Sequence, residues 1–191
     1  TSLKGKGSME ATVKTSVTDP LRLDSVLTPV QGKIGLTFCP GKKDLIASSG
    51  PWDRDLNQDL EAIAKAGYSV LVTLVQKHEL VLLEVPDLGE RAKVAGLDWY
   101  HLPIEDMWIP DDLFEDNWIT EGAELRRHLQ EGRNIAIHCR GGLGRAGTIA
   151  ARLLVELGVD PISAICRVRA ARPGAIETSG QQNYVLGLGE Q

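Results

Sequence analysis

The stretch 135–148, IAIHCRGGLGRAGT, constrains this chain more than any other. An apolar run that reads as a buried strand leads into a turn with three glycines between a cysteine and an arginine, and a helix-like run follows. Glycines in that place imply a tight turn whose backbone comes close to something. In an open α/β sheet, ligands bind beyond the carboxyl ends of the strands, where this junction would lie. Backbone N–H groups of Arg140, Gly141, Gly142, Leu143, Gly144 and Arg145 can converge on one centre, because the glycines carry no side chains to block approach. The helix beginning near Arg145 adds its positive pole. Such a loop is an anion site, and a phosphate fits its charge and donor count.

The remaining sequence supplies a sheet for that junction. IGLTF from Ile34 predicts a strand followed by a turn. Leu56, Leu60, Ile63 and Ala64 have helical spacing over 53–66, with Gly67 as the cap. The β-branched run 68–75 predicts a central strand, and 79–95 predicts helical material interrupted at Pro86. A further strand, 97–104, leads into the acidic loop EDMWIPDD, before an amphipathic helix over 119–130 ended by Glu131-Gly132. After the last buried strand, 134–139, helices are predicted over 146–157, 161–172 and 180–188. Alternating strands and helices imply right-handed crossovers, hence an α/β fold with a central, mostly parallel sheet flanked by helices on both faces.

A chain of 191 residues, 42% of them hydrophobic, fits one compact domain over 9–191. Residues 1–8, TSLKGKGS, have the character of an expression remnant or a flexible arm. No apolar run nears the roughly eighteen residues that span a bilayer, and no signal peptide is recognisable, so a soluble, cytoplasmic protein is expected. Three widely spaced cysteines fit a reducing compartment. The formal charge of −5 speaks against nucleic acid or an anionic membrane as partner.

No Lys-Ser or Lys-Thr follows the glycines, which sets the loop apart from the magnesium-nucleotide pattern. Cys139, at the foot of the amide ring and at a helix N-terminus, is expected to have its pKa lowered into the roughly 3.5–7.5 range of activated thiolates. Arg145 can bind two phosphate oxygens in bidentate fashion. His138 is expected to pack under the loop and bond to its backbone. Cys39 and Cys166 read as buried structural cysteines. His78, His101 and His128 lack metal-ligand spacing. Arg167, Arg169 and Arg172 read as a solvated helix face. Trp108 and Trp118 are candidates for the substrate entrance or for core anchors.

His138-Cys-x-x-Gly-x-x-Arg145 resembles the signature loop of the cysteine-dependent protein tyrosine and dual-specificity phosphatases. With GLTFCPGKK, PIED and GAIETSGQQNYVL, the chain resembles the cyclin-dependent-kinase-associated phosphatase group over most of its length. The resemblance implies in-line attack of the Cys139 thiolate on phosphorus, with an aspartate protonating the leaving oxygen. The matching acid is Asp106; Glu105, Asp111 and Asp112 compete with it. No metal or other cofactor is implied. Two positions depart from the family pattern: Ala146 stands where a Ser or Thr hydroxyl assists the departing thiolate, and Glu177 stands where a glutamine positions water. Gln181 matches the second glutamine of that motif, and Arg172 is a candidate partner for Glu177.

The implied function is a metal-independent phosphomonoester hydrolase with a cysteinyl-phosphate intermediate, acting on phosphotyrosine and on phosphoserine or phosphothreonine in proteins. Alternatives are a phosphoinositide, inositol phosphate or RNA 5′-phosphatase, and a phosphate-binding module with little turnover. Arg140, one extra positive charge beside the loop, hints at multiply charged substrates.

Overall fold

A computed structural model describes residues 11–190; the arm expected at 1–8 lies outside the described residues. The strands are β1 (Asp24–Val26), β2 (Ile34–Thr37), β3 (Lys43–Asp44), β4 (Trp52–Asp53), β5 (Tyr68–Thr73), β6 (Asp98–His101) and β7 (Asn134–His138). The helices are α1 (Leu56–Lys65), α2 (Lys77–Leu82), α3 (Leu88–Val94), α4 (Asp112–Gln130), α5 (Gly144–Glu156), α6 (Pro161–Ala171) and α7 (Ser179–Gly187), with a short 3₁₀ turn after α7.

Five strands form one sheet in the order β1-β2-β7-β5-β6. Only the edge pair β1–β2 is antiparallel; β2, β7, β5 and β6 run parallel, as the alternating pattern predicts. Strand β7 is central. Its Ile135, Ala136 and Ile137 are fully buried, as a strand covered on both faces requires. The crossovers through α1 and through α2 and α3 advance across the sheet toward β6, whereas the crossover through α4 runs back to β7. Right-handed connections therefore place α4 on the opposite face from α1 and α3. Arg152 and Trp118 tie α4 to α5 through Glu115 and Glu156.

The parallel strands end at one level. Thr37 is in register with His138, His138 with Thr73, and Thr73 with His101. The loops leaving β2, β6 and β7 thus open on the same edge, which is the physical origin of the site.

Three local features differ from expectation. Helix α4 starts at Asp112, seven residues before the predicted 119, because Asp111 accepts the Phe114 N–H as N-cap and Phe114 is buried; Asp111 and Asp112, which read as loop, are cap and first turn. Helix α5 starts at Gly144, so Arg145 is already helical. Strand β1 and the small β3–β4 pair lack the alternation that marks a strand. The segment carrying β3 and β4 is fastened instead by a buried ion pair: Arg54 donates through Nε (2.9 Å) and Nη2 (3.1 Å) to Asp59, and its guanidinium stacks on Phe38 and Trp52.

Candidate active site

The loop 138–145 leaves β7 and closes on α5. Gly142 has φ +76°, and a Cβ there would stand 2.4 Å from the carbonyl of Thr37, so only glycine fits. Gly141 meets nothing within 4 Å, so the protein's own packing does not require a glycine there. Cys139 is 3% exposed, and its Sγ accepts the Gly142 N–H at 3.2 Å. One amide of the loop is therefore turned onto the sulfur.

His138 lies beneath, fully buried, and its protonation is fixed by a directional chain. The Trp99 indole can only donate, and it reaches Thr73 Oγ1 at 2.8 Å. The Thr73 hydroxyl proton then goes to His138 Nε2 at 2.7 Å, and His138 Nδ1–H donates to the Cys139 carbonyl at 2.9 Å. Burial pushes the imidazole down to about 4, so the ring is neutral near pH 7, as the chain needs. The predicted supporting role of His138 thus acquires named partners.

Arg145 is 2% exposed and spends its guanidinium on three groups. It forms a bidentate pair with Glu79 (Nη1–Oε2 2.7 Å, Nη2–Oε1 2.9 Å), donates to the Ile104 carbonyl at 2.9 Å, and meets Asp106 Oδ1 at 3.1 Å. Burial alone would raise the Glu79 carboxyl, but the hydrogen bonds and charge of Arg145 outweigh it and hold it below its ordinary value. Sequence reasoning missed Glu79. A signal existed: Gln76-Lys-His-Glu79 follows the end of β5, and Glu79 Oε2 accepts the Gln76 N–H as half of a capping box.

Among the competing carboxylates only Asp106 pairs with Arg145; Glu105 is exposed and makes no ion pair among the described residues. Asp106 is 54% exposed at its side chain and touches Arg145; Asp111 is spent as the N-cap of α4, and Asp112 lies in its first turn. The acidic loop bends sharply after Asp106, with Met107 at φ +63°, a backbone conformation that a non-glycine residue adopts at a cost. Gln181 holds this loop: its Nε2 donates to the Trp108 carbonyl at 3.1 Å, while its Oε1 accepts the N–H groups of Glu177 and Thr178. Gln181 is therefore a bracket between the two loops, and the second N–H of its Nε2 makes no hydrogen bond among the described residues.

The family departures have definite surroundings. Ala146 is buried, and the Thr148 hydroxyl bonds back to the Gly144 carbonyl at 2.7 Å, away from the sulfur. Arg172 does not pair with Glu177; it binds Asp24 and the Gly141 carbonyl, both at 2.8 Å. Arg169 likewise holds the carbonyls of Ala175 and Ile176, so only Arg167 of the three fits a solvated face. Glu177 instead accepts the Gly144 N–H through Oε1 at 2.9 Å. Arg140 is paired with the buried carboxylate of Asp44 at 2.7 Å, which cancels the extra charge expected beside the loop. Cys39 is buried as expected, but Cys166 is exposed on α6. Trp118 is a core anchor stacked on Phe114, whereas Trp108 is exposed on the acidic loop.

A cleft of about 570 Å³ opens beside the loop, lined by Phe38, Lys42, Asp106, Arg140, Gly141 and Glu177 among others, whereas the buried Cys139 and Arg145 are not among its lining residues. Lys42 is buried in its wall, with Nζ 3.3 Å from the Arg140 carbonyl and over the Trp52 ring, and burial pulls its ammonium down to about 8. A sulfur under a bent amide loop, a buried guanidinium and a carboxylate on the facing loop are thus gathered at one edge of the sheet.

Residues 43–185 match the family described as Swiss Army Knife protein, DSP-PTPase phosphatase domain. This chain belongs to that dual-specificity and protein tyrosine phosphatase family. It is 35% identical to cyclin-dependent kinase inhibitor 3 of Rattus norvegicus over 136 residues, 69% of this chain, and 28% identical to protein tyrosine phosphatase type IVA 2 of Mus musculus over 133 residues, covering 70% of this chain and 74% of that protein. The match spans 62% of the length of the rat protein. A crystal structure of kinase-associated phosphatase, with its catalytic-site cysteine replaced by serine, superimposes with a TM-score of 0.78 at 28% identity, covering 90% of this chain and 95% of that one. Among the described residues no helix is long and apolar enough to cross a membrane.

Proposed function

We propose that this chain hydrolyses phosphomonoesters of phosphoproteins through a cysteinyl-phosphate on Cys139. The observation that carries this reading is the placement of the Cys139 sulfur under the Gly142 amide, with Arg145 and Asp106 in contact beside it. In the first step the sulfur attacks phosphorus, the P–O ester bond breaks and Asp106 gives its proton to the leaving oxygen. In the second, water attacks phosphorus, Cys139 leaves as the thiolate and Asp106 takes the proton. The amides of residues 140–145 and the Arg145 guanidinium hold the equatorial oxygens, where charge accumulates. His138 acts through the Cys139 backbone and is a positioning residue; no metal has a part in either step.

Phosphotyrosine, phosphoserine and phosphothreonine in proteins are the proposed substrate class, supported by relatives named for kinases and protein tyrosine phosphatases. The test is hydrolysis of an aryl phosphate in the presence of a metal chelator by the unmodified chain and by Cys139→Ser. Turnover that vanishes in the variant, with trapping of acid-stable phosphate on the unmodified protein, is the expected result. Activity that survives in Cys139→Ser, or depends on added metal, refutes the mechanism.

A further inference from the structure

The Gly144 N–H is one of the loop donors that a bound phosphate would use, and in this structure it is already bonded to a carboxylate. Glu177 Oε1 accepts it at 2.9 Å, and that is the only side-chain hydrogen bond of Glu177 among the described residues. Glu177 is exposed and lines the cleft. The charged groups around it are otherwise engaged: Arg145 with Glu79 and Asp106, Arg140 with Asp44, and Arg172 with Asp24 and the Gly141 carbonyl. Lys42 is directed to the Arg140 carbonyl. Among the described residues no cation stands within ion-pair distance of Glu177, and Asp106, which lines the same cleft, is exposed on the facing loop.

A phosphate entering this loop therefore meets, on one of its own donors, a carboxylate with no ion-pair partner among the described residues. We propose that Glu177 is a specificity-determining residue, favouring phosphopeptides with a Lys or Arg beside the phosphorylated residue over acidic-flanked phosphopeptides and polyanions. A cation supplied by the substrate gives that carboxylate the ion pair it lacks in the protein. A polyanion such as an inositol polyphosphate adds to the repulsion. The inference rests on the phosphatase reading above for the identity of the phosphate loop, but not on turnover.

Glu177→Gln isolates the charge, because the amide oxygen can still accept the Gly144 N–H and keep the loop and α5 capped. Dissociation constants are measured on Cys139→Ser with and without Glu177→Gln, for inorganic phosphate and for two phosphotyrosine peptides differing only in basic or acidic flanking residues. The expected result is about a tenfold or larger preference for the basic peptide that shrinks at least about threefold with Glu177→Gln, together with tighter binding of inorganic phosphate. A preference unchanged by Glu177→Gln, or phosphate binding no tighter, overturns the proposal and leaves Glu177 as a helix cap. Glu177→Ala, which removes the cap as well as the charge, must show the same loss of preference if charge is the cause, whatever its melting temperature. Because binding is read on the Cys139→Ser background, failure of hydrolysis in the unmodified chain would sink the phosphatase mechanism and leave this result standing, and the reverse outcome is equally distinguishable.

Discussion

The buried pair between Glu79 and Arg145 offers the most demanding test of how the site is held. Both side chains are at most 5% exposed, and the two hydrogen bonds between them are 2.7 and 2.9 Å. Removing one partner of such a pair costs about 3–5 kcal/mol, because the other charge is left buried. Glu79→Gln keeps one acceptor oxygen, and Arg145 retains the Ile104 carbonyl and Asp106, so the expected loss is about 2–3 kcal/mol. For a chain of this size that lowers the melting temperature by roughly 5–10 °C. Urea denaturation at pH 7.5 measures the loss directly, and phosphate affinity should fall with it, since the guanidinium is then held from one side only. The sign of the pH dependence is fixed. A carboxyl whose folded pKa is depressed contributes stability that is present above its unfolded value and lost as pH falls through the folded one. The deficit of Glu79→Gln should therefore narrow below about pH 4.5. A loss no greater than the roughly 1 kcal/mol of an ordinary helix cap, with phosphate affinity unchanged, would show that Glu79 only caps α2 and refute the argument.

Asp106→Asn should slow hydrolysis of an alkyl phosphate by about 10²-fold or more while affecting an activated aryl phosphate far less, because only the poorer leaving group needs the proton; equal losses in steady-state assays would assign the acid elsewhere. His138, neutral in the fold with a pKa near 4, binds fewer protons folded than unfolded, so stability should drop by roughly 2–3 kcal/mol between pH 7.5 and 4.5 from this group alone; urea midpoints for His138→Ala should lose that part of the pH dependence. Gly142→Ala should cost roughly 2–4 kcal/mol through its positive φ and the collision with Thr37, whereas Gly141→Ala should stay within about 0.5 kcal/mol; similar losses for both, by thermal unfolding, would contradict the loop geometry.

What the sequence determined by itself lies in short-range pattern. The apolar run before Cys139 can only be an interior strand, the glycines after it can only be a turn, and Arg145 follows at the distance a curled loop requires. Gly67, Gly96 and Gly132 ended their helices where the periodicity stopped, each at positive φ. Those features depend on neighbours in the chain, and residue type alone carries them.

The tertiary structure decided everything that depends on which distant groups share the strand ends. Glu79 reaches Arg145 across 66 positions, the Thr73–His138 bond spans 65, and Gly144 is met by Glu177 33 residues on. No periodicity encodes such pairings, because they arise when β5, β6 and β7 are set at one level and their loops converge. The same holds for charge. Arg140 reads in the sequence as one extra positive charge and Arg172 as a candidate partner for Glu177, but folding pairs them with Asp44 and Asp24, while Glu177 is left with an amide alone. Electrostatic surroundings are a property of three-dimensional neighbourhood, since Coulomb interaction falls with distance in space and is indifferent to distance along the chain.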